Sequence, residues 1–161
     1  MNRSEYNTSV DQFSDSVYRF ILKACRNKQM AEDIVQDSFF VLWEHVRELQ
    51  YNKAKAFLFT TAYRKMIDQF RREKRNVDVS TIDSSQLTMR EENIDLQEIL
   101  EYALSRLSTI QQTVILLRDY EDYSYQEIAE ITGLNESQVK VYIFRGRSSM
   151  KQFIRKSDLV I

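Results

Sequence analysis

The chain has 161 residues, room for one ordinary domain or two small ones, with no proline, glycine only at Gly133 and Gly146, and a net charge of −1. A single cysteine, Cys25, and a single histidine, His45, leave no material for a disulfide, a cysteine-rich zinc site or a serine-histidine-aspartate triad. No apolar run approaches the roughly 18 residues of a membrane span, and the first ten residues lack an apolar signal core, so a soluble, cytoplasmic protein is expected. Helix formers abound without strand-like alternation, which predicts an all-α fold.

Residues 4–26 are predicted helical, with Phe13, Val17, Phe20, Ile21 and Ala24 as the apolar stripe. Asn27, Lys28 and Gln29 interrupt the pattern, and a second helix is expected over residues 30–48 with Val35, Phe39, Leu42 and Val46 inward. Its other side places Phe40 among Asp33, Asp37 and Glu44 at three- or four-residue spacing, with Gln36 and Trp43 beside them. A solvated face has no need of Phe40, whereas a docking face does, because an apolar anchor rimmed by charge is how such surfaces are built. Burial of Phe40 and Trp43 in the core explains the pattern equally well.

A loop near residues 49–52 leads to a third helix over 53–74, where Phe59, Ala62, Tyr63, Met66, Ile67 and Phe70 keep strict amphipathic spacing. Arg64, Asp68, Arg71 and Arg75 line another side, with Lys65 and Arg72 adjacent. A cationic stripe of this kind suits phosphates. Residues 76–93 lose the periodicity and read as a flexible acidic linker between two small helical domains. Helical pattern resumes with Leu96, Ile99, Leu100, Ala103, Leu104 and Leu107, and again with Val114, Ile115, Leu116 and Leu117 after Ser108-Thr109. Residues 157–161 form a short tail.

Residues 125–153 carry two helical patterns separated by Gly133, with Ser124 placed to cap the first and Asn135, or Ser137 for a later start, the second. The spacing of Ala129, Gly133 and Val139 meets the requirement of a helix-turn-helix: close approach, a turn, and an apolar lock. Val139, Ile143, Gly146, Met150 and Phe153 should face inward, which turns Ser137, Lys140, Val141, Phe144, Arg145 and Ser148 outward. Two cations, a ring and a small apolar group suit phosphate and base-edge contacts. A plain antiparallel hairpin with a solvated basic face fits the same spacing. The charge distribution adds weight. Residues 53–75 hold eight Lys/Arg against two acids and residues 134–156 six against one, while residues 78–101 hold seven acids against Arg90. Two basic blocks set apart by acidic ones fit two DNA-contacting surfaces.

Three blocks occur in order and at matching separations: AEDIVQDSFFVLW (31–43), AFLFTTAYRKMIDQFRR (56–72) and LSTIQQTVILLRDYEDYSYQEIAEITGLNESQVKVYIFRGR (107–147). Together they resemble the extracytoplasmic-function group of bacterial sigma-70 factors. The resemblance implies a region 2 domain over residues 1–75, a linker over 76–93 and a region 4 domain over 94–156. It implies binding to core RNA polymerase and recognition of promoter DNA at its −10 and −35 elements. By position, Asp33, Gln36, Asp37, Phe40 and Glu44 match the family's polymerase-docking helix. Arg64, Asp68, Arg71 and Arg72 match its −10 element, with residues 49–53 as a candidate base pocket. Lys140, Val141, Phe144 and Arg145 match its −35 reader. The linker resembles the segment that family members thread through the polymerase. The family implies an anti-sigma partner, membrane-anchored in many members, and no catalytic residue, cofactor, metal or small-molecule substrate. Phe57, Arg64 and Tyr142 stand where the family often has Trp, Asn and Arg, so its promoter sequence does not carry over.

Two other classes of function compete. A stand-alone helix-turn-helix regulator accounts for residues 125–153 but leaves the cationic third helix and Phe40 without a purpose. A helical adaptor predicts no DNA binding at any salt. An enzyme lacks an organising His, Cys or glycine-rich phosphate loop.

Overall fold

The computed structural model describes residues 1–76 and 95–156. Among the described residues the chain is all-α; the predicted tail and residues 77–93 of the predicted linker lie outside them, while Asn76, expected to open the linker, is the last residue of a helix. Helix α1 (Arg3–Cys25) opens with a capping box: the Asn2 side chain accepts from the Glu5 amide, and Glu5 accepts from the Asn2 amide. It closes at Arg26, whose left-handed φ of 55° reverses the chain. Asn27 then caps α2 (Lys28–Glu44) directly, so the break is shorter than its polar composition suggested. Helix α2 stops four residues before the expected end, and residues 45–49 form hydrogen-bonded turns instead. No glycine or proline signals that stop. A 3-10 turn (Tyr51–Lys53) leads into α3 (Ala54–Asn76).

These three helices enclose Val17, Phe20 and Ile21 of α1, Ala31, Ile34, Phe39 and Leu42 of α2, and Ala54, Leu58, Phe59, Ala62 and Met66 of α3. The α2 stripe is rotated from the expected one. Ala31 and Ile34 are buried, whereas Val35 and Val46 are only half-buried. On α3, Tyr63, Ile67 and Phe70 are half-buried because the helix leaves its neighbours toward its C-terminal end.

The second half comprises α4 (Leu96–Ser105), α5 (Thr109–Ile115) with a π-turn extension (Leu116–Tyr120), α6 (Tyr125–Thr132) and α7 (Glu136–Lys156). Ser108 with Gln111, and Ser124 with Glu127, form capping boxes at α5 and α6. Gly133 ends α6 at φ 79°, the left-handed conformation that glycine adopts without a Cβ penalty. Asn135 and Gln138 exchange side-chain bonds with each other's amides and so cap α7. Ile99, Ala103 and Leu104 of α4, Val114 to Leu117, Ile128, Ile131, Val139 and Ile143 are buried. Leu96, expected in the α4 stripe, is exposed at the first residue of that helix. The two halves join in one hydrophobic core, with Tyr123 between α5 and α6 lying against Phe59 of α3.

At Gly146, α7 lies close against α5. A Cβ there would stand 2.5 Å from Ile115 Cδ1, and Ile115 is itself packed on every side. Gly146→Leu should therefore destabilise by about 2–3 kcal/mol through overpacking, lowering the urea midpoint with an unchanged slope. An unaltered midpoint would show that the helices are not in close contact. Burial also pushes the Tyr123 phenol above its ordinary value, with Glu127 and Glu121 adding to the shift, and among the described residues its hydroxyl has no hydrogen-bond partner. A raised folded pKa favours the neutral form, so this stability is complete below the ordinary phenol range near pH 10 and is lost as pH rises above it. Tyr123→Phe should raise stability by up to about 1 kcal/mol and flatten the alkaline decline, as read by thermal unfolding between pH 8 and 11.

Candidate nucleic-acid and docking surfaces

The recognition face of the helix-turn-helix is set by what α7 buries. Val139, Ile143 and Gly146 pin one stripe to the core, which leaves Ser137, Lys140, Val141, Phe144 and Arg145 exposed on the other, with Ser148 half-buried. Phe144 is 74% exposed, a large ring held in water with no internal role. The Lys140 ammonium sits 5.5 Å over the Tyr125 ring, which brings an aromatic side chain of α6 beside the face. Asn135, Ser137, Gln138, Val141, Tyr142 and Arg145 line a shallow depression of about 300 Å³. Such a surface offers a guanidinium for guanine edges, amides for adenine, and apolar atoms for a thymine methyl.

Not every cation of this basic block faces outward. Arg147 donates to Asp119 with both arms of its guanidinium, Nε to Oδ2 at 3.1 Å and Nη2 to Oδ1. The Asp119 hydrogen bond holds its pKa above the ordinary value. This pair joins α7 to the α5 extension and takes one charge out of the count available to phosphate.

On α3, Arg64, Asp68, Arg71 and Arg72 are all exposed. Asp68 and Arg71 approach at 3.9 Å in solvent, too loosely to fix either side chain. Lys65, Asp68, Arg72 and Glu73 face Asp33 and Asp37 of α2 across a groove of about 460 Å³. Residues that the sequence placed on two separate surfaces, Asp33 and Asp37 on one and Asp68 and Arg72 on the other, thus share one cleft. Gln36, Phe40 and Glu44 are exposed outside its lining.

The two readings of Phe40 and Trp43 are separated by the fold. Phe39 is buried, while Phe40 is 62% and Trp43 45% exposed. Trp43 meets Tyr6 of α1 edge-on at 4.9 Å, and the Tyr6 hydroxyl donates to the Phe39 carbonyl. Sequence spacing does not single out Tyr6, since nothing in it links α1 to the far end of α2. Tyr125 was missed for the same reason. The loop expected to hold a base is tied to α1: the Tyr51 hydroxyl donates to Gln12 Oε1 at 2.7 Å, and the Met1 ammonium donates to the Leu49 carbonyl. Asn52 and Lys53 remain exposed at its crest. Among the described residues, no cluster of His, Cys, Asp and Glu could hold a metal, and no helix is long and apolar enough to cross a membrane.

Comparison with known proteins gives this geometry a family. Residues 10–76 match the sigma-70 region 2 model and residues 97–150 the sigma-70 region 4 model. The chain is 31% identical to the RNA polymerase sigma factor SigV of Bacillus subtilis over 94% of its length and 92% of that protein. It is 33% identical to the ECF RNA polymerase sigma factor SigL of Mycobacterium tuberculosis, over 81% of this chain and 77% of the relative. The fold is that of the sigma factor RpoE from Bartonella quintana, solved with the anti-sigma factor NepR, with a TM-score of 0.77 over 95% of this chain and 98% of that one, at 24% identity. This protein belongs to the extracytoplasmic-function sigma factors of the sigma-70 family.

Because Phe40 and Phe144 project into solvent, Phe40→Ala and Phe144→Ala should leave folding stability within about 0.5 kcal/mol of the parent. Chemical denaturation checks this, and a loss of several kcal/mol from either would return that ring to the core.

Proposed function

We propose that this chain is the promoter-specificity subunit of a bacterial RNA polymerase: it binds the core enzyme, recognises −10 and −35 elements, and performs no catalysis. The observation that carries this reading is the presence of three unburied, chemically distinct faces, on α2, α3 and α7, arranged in the family's chain order. A stand-alone regulator would need only the face on α7. In this reading residues 1–75 dock on polymerase and open the −10 region, and residues 94–156 read the −35 element. Phe40, rimmed by Asp33, Gln36, Asp37 and Glu44, anchors the polymerase contact. Arg64, Asp68, Arg71 and Arg72 act at the −10 element, where base stacking and backbone charge offset the cost of melting. Lys140, Val141, Phe144 and Arg145 enter the major groove at −35.

The protein would work in the cytoplasm, where polymerase and DNA are. The RpoE structure contains a bound anti-sigma factor, and an anti-sigma partner for this chain is part of the proposal.

Transcription of a fragmented genomic library by core polymerase, with and without the protein, tests the reading directly. New start sites preceded by a shared pair of elements are expected; none, with active core and folded protein, would return the stand-alone regulator to first place. Arg145→Ala should lower −35-dependent initiation by about tenfold or more, the equivalent of losing one good base contact, while core binding stays intact. Phe40→Ala should weaken core binding by at least about 1 kcal/mol without touching DNA specificity, as read by competition for labelled core.

A further inference from the structure

A crevice of about 530 Å³ opens where the end of α1 and the start of α2 meet α4. Leu22 of α1 and the buried Leu104 of α4 supply its apolar lining. Around them stand Arg19, Lys23, Arg26 and Lys28, against the carboxylate of Glu101. Arg19 is matched, since its Nε and Nη2 donate to the two oxygens of Glu121, both at 3.2 Å. The other three are not. Arg26 Nη2 donates at 3.1 Å to the main-chain carbonyl of Glu101, and the Lys23 ammonium lies 5.0 Å from the Tyr120 ring centroid. Among the described residues Lys23, Arg26 and Lys28 have no ion-pair partner.

Local structure does not account for all of this charge. Lys23 and Arg26 suit the negative end of α1. Lys28 is the first residue of α2, where the helix dipole disfavours a cation and the first turn holds no acid. Arg26 takes a left-handed φ of 55°, uncommon for a residue with a Cβ, at the reversal that brings the three cations round one opening. Burial pushes its guanidinium below the ordinary value, with Glu101 opposing the shift. Unpaired like charges beside apolar surface are the complement of an anion with an apolar body.

We propose that this crevice binds a small amphiphilic anion, a phosphate monoester on a short apolar body. The phosphate accepts from the Arg26 guanidinium and the ammonium groups of Lys23 and Lys28, charge-assisted bonds that a tetrahedral dianion takes from several donors at once. The body lies against Leu22 and Leu104. The volume falls within the roughly 300–1,000 Å³ of small-molecule sites. A nucleic-acid backbone would use the cations but leave the apolar lining uncovered, and these cations stand apart from the α3 and α7 faces. The site is independent of the promoter-recognition reading.

Titration calorimetry of the full chain with octyl phosphate, at low salt and below its micellar concentration, tests the site. A single class of site with a submillimolar Kd is expected for a ligand of this size. Inorganic phosphate should bind at least about tenfold more weakly, the worth of two buried methylenes, and octyltrimethylammonium should not bind. Lys23→Gln and Lys28→Gln should each weaken octyl phosphate by about threefold or more, and together by about tenfold. Arg47→Gln, the same change of charge at an exposed residue outside the crevice, should leave it unaltered. Circular dichroism checks the fold, and Lys28 is exposed, so its variant reports on the site even if Lys23→Gln perturbs the helix. Absence of saturable binding, equal binding of the trimethylammonium, or an equal loss from Arg47→Gln would overturn the proposal. Vesicles of phosphatidylcholine containing phosphatidic acid carry the same phosphate monoester on a bilayer. No co-sedimentation is expected with them, because the lining is recessed between helices. Co-sedimentation lost in the Lys23 and Lys28 variants would overturn the free ligand in favour of a lipid headgroup.

Discussion

Helix α3 is asked to satisfy three neighbours and water at once. Ala54, Leu58, Phe59, Ala62 and Met66 are buried on it, with α1 and α2 on one side and the Tyr123 loop and α6 on another. The rest of its circumference carries Arg64, Asp68, Arg71 and Arg72 in solvent. Burying a lysine or arginine without a partner costs several kcal/mol, so the rotation of this helix about its axis is fixed by its charges as firmly as by its apolar stripe. Both halves of the molecule are positioned from it.

The second half depends on a different constraint, the closeness of helix axes. Gly146 lets α7 rest on Ile115, and the Asp119–Arg147 pair closes the same junction at its rim. Once that stripe is committed, Phe144, Val141 and Arg145 have only the outer face left. The exposure of apolar side chains on α7 is thus a geometric consequence of helix packing, and the proposed promoter-reading role draws on it. The same holds for α2, where burial of Ile34 and Phe39 commits Phe40 to solvent.

The fold also brings together groups that belong to separate helices. The cleft between α2 and α3 sets Asp33 and Asp37, proposed above for docking, beside Arg72, proposed above for nucleic acid, so in that proposal occupancy of one surface alters the electrostatics of the other at distances below the Debye length. The packing of the two halves is the larger-scale version. Its contacts mix a shared apolar core that includes Tyr123 with one ion pair, Arg19–Glu121, which salt weakens through its exposed arginine.

Local periodicity and capping chemistry in the sequence determined that the chain is helical, where most helices begin, and which face of α7 looks outward. Ser108, Ser124, Asn135 and Gly133 act within a few residues of themselves, and the inward Val139, Ile143 and Gly146 follow from a 3.6-residue period. The expectation failed where the deciding partner is distant in sequence. Val35 and Val46 are half-buried because α1 and α3 select Ala31 and Ile34 instead. Leu96 is exposed because no described helix covers the start of α4. Arg147 is tied to Asp119 across the bundle, and Phe40 was ambiguous until Phe39 was seen to take the inward position. Only the tertiary structure decided that Tyr123 belongs to the core of the other half. A period describes one helix against an unspecified neighbour, whereas the identity of that neighbour is set by long-range packing.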